Sequence, residues 1–210
     1  MRTHLPTAQP NQSIQKGFAA LEALAAAPGP MSTGELSAAL KLDKSVTSRL
    51  LLTLHGLGYV DRLKRGLWRP HTALLALSLL GLKNSPLVQA RPIMSSLIDR
   101  FKCIVALGTL WRDQVVYLYH STNKETLTGF GHLFPAKESS IGLLLTQKDP
   151  PRHYLVTRDN GDISLAVPVR FRDTLFGLAI AGPPRVYKGE ATIEVLEDAA
   201  KQIEALAMPK

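Results

Sequence analysis

Between residues 28 and 66 the chain is punctuated so often that only short elements fit. Pro28-Gly-Pro30 ends whatever precedes it. Ser32-Thr-Gly-Glu35 then has the form of a capping box: the Ser32 hydroxyl accepts from the Glu35 amide, and the Glu35 carboxylate reaches back to the Ser32 amide. The helix this opens has Leu36, Ala39 and Leu40 for its apolar face before Lys41-Leu-Asp-Lys44 turns the chain. The next helix is predicted over 45–55, with Thr47, Leu50, Leu51 and Leu54 inward, Asp43 or Ser45 as cap, and Gly56 and Gly58 at its end. Two short helices across a tight turn make a helix-turn-helix.

The flanks complete a small domain. Ile14, Phe18, Leu21 and Leu24 recur at helical spacing, which predicts a helix over 12–27 behind a polar tail at 1–11. Residues 59–63 and 67–69 read as two short strands joined at Lys64-Arg-Gly66, a basic wing. A further helix is predicted over 74–82, and Asn84-Ser-Pro86 breaks the chain.

After that the character changes. A helix is predicted over 92–101, with Pro92 in its first turn. Strands are predicted over 104–110 and 115–120 around Arg112-Asp113-Gln114, and over 163–169 and 175–181 across Arg172-Asp173. Between them stand a short helix over 139–145 and the interruption Asp149-Pro-Pro151. The last helix, 192–208, gathers Ile193, Leu196, Ala199, Ala200, Ile203 and Leu206 on one side. Strands with helices at both ends predict an α+β domain with an antiparallel sheet.

The net charge of +8 is unevenly placed. Residues 1–85 hold ten Lys/Arg against four acids, a net +6, whereas residues 86–210 hold fifteen against thirteen, a net +2. Such asymmetry points to a polyanion, nucleic acid or membrane surface, with plain solubility as the other reading. Geometry then favours DNA. A recognition helix enters the major groove by its N-terminal end, and here that end carries Lys44, Ser45, Val46, Ser48 and Arg49. Arg49 suits guanine, Ser48 most bases, and Val46 a thymine methyl. Ser32 and Thr33 suit a phosphate, and Lys64 and Arg65 the backbone or minor groove beside the wing. Two other readings stay open: a packing module whose cations are only solvated, and a winged helix that contacts protein.

No catalytic residue, metal or cofactor is expected. Gly-x-Ser-x-Gly and P-loop patterns are missing from the sequence, and Phe134 stands where a third glycine would complete Gly129-Phe-Gly131. The six histidines (4, 55, 71, 120, 132 and 153) form no i, i+4 pair. Cys103, the single cysteine, rules out an internal disulfide and reads as a buried core thiol. Trp68, Trp111 and Met94 read as packing residues. The longest apolar run, 73–80, is far short of the roughly 20 residues that span a bilayer, and residues 1–10 lack an apolar signal region. The expectation is a cytoplasmic protein with no membrane partner.

The motifs resemble the IclR family of bacterial transcription regulators. Ser13-Ile14 through Leu24 resembles that family's opening helix, Met31-Ser-Thr-Gly-Glu-Leu36 its second, Lys44-Ser-Val-Thr-Ser-Arg-Leu-Leu51 its recognition helix, and Gly58-Tyr-Val60 the lead into its wing. In the same order, Phe134-Pro135 to Leu145 resembles its small-residue segment, Ala166-Val-Pro-Val169 its Ala-Ala-Pro-Val strand, and Gly182-Pro183 its Ser-Gly-Pro turn. The resemblance implies a winged helix-turn-helix at 12–70, a linker helix at 71–86 and a GAF-like α+β domain at 87–210. That last domain would bind an effector and assemble the oligomer. The resemblance further implies a double-stranded DNA operator, repression, association with the nucleoid, and a homodimer or homotetramer. It also implies a small organic-acid effector lined by Phe130, Lys137, Ser140, Ile141, Asp159, Ser164, Ala179 and Ala181.

The chain departs from the family pattern in that second domain. Two serines that commonly reach the effector carboxylate correspond to Ala179 and Ala181, and a family histidine to Lys137. The usual Gly-Lys pair is Gly142-Leu143, Ser164 stands at a Cys or Ser position, and the stretch before the Ala-Ala-Pro-Val strand is shorter than usual. These changes predict a smaller or less polar pocket, in which Lys137 is either a substitute cation or a solvated surface residue. Two alternatives stay open: a DNA-binding regulator whose C-terminal domain serves assembly only, and a GAF-like small-molecule-binding protein whose winged helix contacts protein.

Overall fold

The structure, a computed structural model, describes residues 11–83, 86–123 and 133–207. The predicted tail at 1–11 lies almost wholly outside the described residues. Two units are distinguished by their internal packing, Arg2–Asn84 and Ser85–Lys210.

The first unit begins with helix α1 (Gln12–Ala26), whose first amides are capped by the Asn11 side chain. A two-residue strand β1 (Met31–Ser32) precedes helix α2 (Thr33–Leu40). Both halves of the capping box form, at 3.2 Å from the Glu35 amide to Ser32 Oγ and 2.7 Å from the Ser32 amide to Glu35 Oε2. Lys41 takes a left-handed conformation (φ 52°) and turns the chain into helix α3 (Lys44–Gly56). Asp43 holds the cap position of α3, but its side chain makes no capping bond, and Ser45 lies inside the helix. Strands β2 (Val60–Arg62) and β3 (Leu67–Pro70) form the wing, and β1 adds to its far side in the order β1-β3-β2. Helix α4 (Ala73–Lys83) closes the unit.

The core of this unit is Ala20, Leu24, Leu36, Leu51, Leu54, Val60 and Trp68. Trp68 is buried, and its Nε1 donates to Thr33 Oγ1 at 3.0 Å, tying the wing to α2. The apolar stripe of α1 is only half used. Leu24 faces the core, while Ile14 and Phe18 remain 57% and 61% exposed. No residue of α4 is buried, although Leu77, Leu79 and Leu80 are each more than half exposed.

The second unit opens with a 3-10 turn (Pro86–Ala90) and helix α5 (Arg91–Phe101). The remaining elements are β4 (Ile104–Trp111), β5 (Gln114–Ser121), β6 (Leu133–Pro135), α6 (Ser140–Leu145), β7 (Tyr154–Thr157), β8 (Ile163–Phe171), β9 (Thr174–Gly182) and α7 (Glu190–Ala205). One sheet runs β6-β5-β4-β9-β8-β7, with every neighbouring pair antiparallel. The predicted turns at Arg112 and Arg172 form, each with left-handed φ (57° and 54°).

Alternate residues face opposite sides of the sheet. Val105, Leu107, Leu165 and Leu178 pack with Met94, Leu97, Leu196 and Ile203 from α5 and α7. Ala106, Ala166 and Ala179 pack on the other side with Ile141 and Leu144 from α6. Helix α6 sits close because Gly142 has no side chain: a Cβ there would fall on the backbone of Ala136. Strands β1, β6 and β7 went unpredicted, since they are two to four residues long and carry no full alternation. Among the described residues no single helix is long and apolar enough to cross a membrane.

Candidate functional site

Two surfaces carry the chemistry, one in each unit. In the first, α3 is anchored by buried Thr47, Leu51 and Leu54, and Thr47 Oγ1 donates to the Asp43 carbonyl at 3.0 Å. That rotation leaves Lys44, Ser45 and Arg49 exposed on the first turns, with Val46 and Ser48 half-buried beside them. Val46 and Arg49 lie on the flank facing α1, where they line an apolar groove of about 690 Å³ with Phe18, Leu21, Leu74 and Leu77.

Ser32 and Thr33 are half-buried at the start of α2. Each hydroxyl oxygen already accepts a bond, from Glu35 and Trp68 respectively, so each O–H remains to donate. The Ser32 amide, and then its hydroxyl, hold the Glu35 carboxyl below the usual carboxylate range. Lys64 and Arg65 stand exposed at the wing tip, where Arg65 takes a left-handed conformation (φ 63°). The other wing arginines are engaged by the wing itself: Arg62 lies 5.5 Å over the Trp68 ring and Arg69 pairs with Asp61 at 3.1 Å. Among the described residues no hydrogen bond or ion pair engages the side chains of Lys44, Arg49, Lys64 or Arg65.

The second surface is a cavity of about 300 Å³ between the sheet and the start of α6. Its floor is Ala106, Ala179 and Ala181, the small residues of β4 and β9. Ser140, Ile141 and Ser164 line it, and the two serine hydroxyls meet at 2.7 Å. Five of the expected effector residues therefore converge here. Lys137 is exposed and Asp159 stands at the surface, and neither lines the cavity. Phe130 lies outside the described residues.

Six polar residues of this lining were not foreseen: Tyr117, His120, Ser139, Arg158, Asn160 and Asp162. The Tyr117 hydroxyl lies 3.1 Å from Ser139 Oγ, and its ring sits 4.9 Å from that of His120. Burial raises the Tyr117 hydroxyl above its usual value, partly offset by the Ser139 bond and the positive charge of Arg158. The phenol thus stays a neutral donor at pH 7. Arg158 opens the turn from β7 into β8, which is closed by its amide donating to the Asp162 carbonyl at 2.8 Å. Among the described residues it is the one Lys or Arg of the lining, and the one carboxylate, Asp162, accepts from Asn160 Nδ2 at 2.9 Å.

A register shift explains why Tyr117 and His120 escaped sequence reasoning. Leu107 pairs with Tyr119 but Gly108 pairs with Tyr117, so Leu118 is the extra residue of a bulge. A one-residue insertion flips the face, which brings positions 117 and 120 to the same side despite their odd spacing. Arg158 escaped because β7, the strand that places it, is too short to read.

Cys103 is buried, and burial pushes its thiol up to about 11, against a smaller lowering by the Ala181 backbone. Among the described residues no group of three His, Cys, Asp or Glu is placed to hold a metal ion.

The family model of the IclR helix-turn-helix domain matches residues 13–64. No curated protein matches the sequence. Among solved structures, an IclR family transcriptional regulator from Brucella abortus superposes with a TM-score of 0.77 at 21% identity, covering 96% of this chain and 94% of that one. An IclR transcriptional regulator from Alicyclobacillus acidocaldarius gives 0.70 at 14% identity, covering 95% and 100%. An IclR homologue from Microbacterium hydrocarbonoxydans, in complex with 4-hydroxybenzoate, gives 0.63 at 19% identity, covering 93% and 98%. At these identities the likeness to the solved structures is one of fold.

Proposed function

We propose that the chain, whose residues 13–64 match the IclR helix-turn-helix domain, is a DNA-binding transcription regulator of the IclR type, a repressor that reads an operator as a homo-oligomer and answers to a small organic acid. The observation that carries this reading is the exposed set Lys44, Ser45 and Arg49 on the first turns of α3, whose side chains make no hydrogen bond or ion pair among the described residues. Arg49 would read a guanine by two parallel bonds, with Ser45 and Ser48 beside it and Val46 against a thymine methyl. Ser32, Thr33, Lys64 and Arg65 would fix the register on phosphates. The work of such a protein is binding rather than catalysis, carried out in the cytoplasm at the nucleoid.

Dimerisation would use the open apolar surface of α1 and α4, where Ile14, Phe18, Leu77 and Leu80 lie exposed. A two-fold axis would present two α3 helices to half-sites about 34–36 Å apart, one turn of DNA. In the second unit, Arg158 would take the effector carboxylate, with the Tyr117, Ser139 and Ser140 hydroxyls completing its shell. Ala179 and Ala181 offer no hydroxyl from the floor, so the polar contacts would come from Arg158 and the neighbouring hydroxyls instead. An effector binding one arrangement of the oligomer better than another would shift the spacing of the heads and so the affinity for DNA.

The test is selection of genomic fragments by the purified protein, followed by sequencing. The expected result is a shared inverted repeat that Arg49→Ala fails to recover. Random recovery by both proteins would refute the reading and leave the winged helix as a protein-contact module. A domain that serves assembly only is favoured by the two alanines at 179 and 181. A metabolite screen that shifts neither melting temperature nor operator affinity would establish it.

A further inference from the structure

The second unit holds a second concavity, which shares no lining residue with the proposed effector site. This groove of about 330 Å³ lies where the end of α5 meets the start of α7. Its rim carries four cations, Arg100, Lys102, Arg185 and Lys188, and its floor is apolar, with Phe101, Val186 and Val195. No acid lines it. That is informative because residues 86–210 are nearly balanced, with fifteen basic and thirteen acidic groups. Four of the fifteen converge on one groove from two segments, without a carboxylate between them. Asp99 pairs with Lys102 at 3.6 Å, but both side chains are at least half exposed, so the pair is weak.

The two cationic segments are fixed against each other. Gly182 lies so close to Cys103 that a Cβ there would approach the Cys103 Cβ to 2.9 Å. Prolines 183 and 184 lead into a 3-10 turn (Pro184–Val186) whose Val186 is buried, and the Lys188 amide donates to the buried Thr192 Oγ1 at 2.8 Å. Lys102 takes a left-handed conformation (φ 50°) that ends α5 beside this turn. The guanidinium of Arg100 lies 6.0 Å over the Phe101 ring. The backbone that displays the cations is therefore built before any ligand arrives, which lowers the ordering cost of binding.

We propose that this groove binds a small phosphorylated metabolite, its phosphate held between Arg100 and Lys102 on one side and Arg185 and Lys188 on the other. Phosphate accepts from several directions at once, and two arginines and two lysines offer both forked and point donors. The apolar floor would take the carbon body of the same ligand. A concavity of this size admits a small molecule, whereas the backbone of a DNA duplex would rest on the rim. The proposal is independent of the organic-acid reading, because the two cavities share no lining residue.

The test is calorimetric titration of inorganic pyrophosphate into the full-length protein at constant ionic strength. Saturable binding at one site per chain is expected, weakened at least about tenfold by the Arg185→Ala, Lys188→Ala double substitution and by Arg100→Ala from the opposite side. Arg158→Ala, in the other cavity, should leave it unchanged. These cations are exposed, so the variants should melt as the parent does. The proposal is overturned if the parent binds no pyrophosphate, if its response fails to saturate, or if the variants bind equally well. Loss of DNA affinity in the double variant without any pyrophosphate binding would likewise overturn it, in favour of a duplex backbone.

Discussion

Phe18→Ser separates self-association from folding. Phe18 stands 61% exposed on α1, beside the apolar groove shared with α4. A phenylalanine side chain offers about 200 Å², so about 120 Å² is open to a partner. At about 25 cal/mol per Å², covering it stabilises by about 3 kcal/mol. In a two-fold contact the same residue counts twice, about 6 kcal/mol. Protein interfaces return only part of such area, and keeping half leaves about 3 kcal/mol. Phe18→Ser should therefore weaken the proposed homodimer roughly a hundredfold. The assay is sedimentation equilibrium over a dilution series, with thermal melting under conditions where both proteins are monomeric. That melting should change by less than about 0.5 kcal/mol, because the side chain makes little of the monomer core. An unchanged association constant would refute the assignment of this face to dimerisation. A large loss of monomer stability would refute the premise that the face is unpartnered within the chain.

Other consequences are as direct. Arg158→Ala should weaken binding of an aromatic carboxylate, with 4-hydroxybenzoate as first probe, by about 10- to 100-fold in titration calorimetry. An equal affinity would remove Arg158 from the effector site. Gly142→Ala would drive a methyl into the Ala136 backbone and should destabilise the second unit by about 3 kcal/mol or more in chemical denaturation. A smaller effect would mean that α6 can slide. The Cys103 thiol has its pKa raised to about 11 from a model-thiol value of 9.0. The folded chain then holds that proton where the unfolded chain has lost it, so this thiol's contribution makes stability fall as pH rises between those values. Cys103→Ala should flatten that part of the pH–stability curve, and an unflattened curve would count against the burial.

Local chemistry was legible where it was dense. The capping box at Ser32 and Glu35, the turns at Arg112-Asp113-Gln114 and Arg172-Asp173, and the amphipathic α7 are each written in a handful of neighbouring residues, and each formed. The inward face of α3 was equally readable, because Thr47, Leu51 and Leu54 recur at the spacing of one helical face. Partnering across the surface was not readable. The stripe Ile14, Phe18, Leu21, Leu24 looks like one core face, but the chain buries only its inner end, since amphipathic spacing does not say whether the partner lies in the same molecule. The cavity was half legible. Ser140, Ser164, Ala179 and Ala181 follow from ordered motifs, whereas Tyr117 and His120 depend on a bulge at Leu118 that no local pattern announces. Arg158 depends on an edge strand of four residues, Tyr154–Thr157, half exposed along its length.

The central claim is that α3 reads DNA. The most direct measurement is the affinity of the full-length protein for a recovered operator and for a scrambled duplex, at two salt concentrations, with and without Arg49→Ala. Loss of an arginine that reads a guanine should cost about 1–3 kcal/mol on the operator, up to about a hundredfold, and little on the scrambled duplex. Affinity for both duplexes should fall steeply with salt as counterions are released. Equal affinity of parent and variant for both duplexes would contradict the account, and so would binding that salt leaves unchanged.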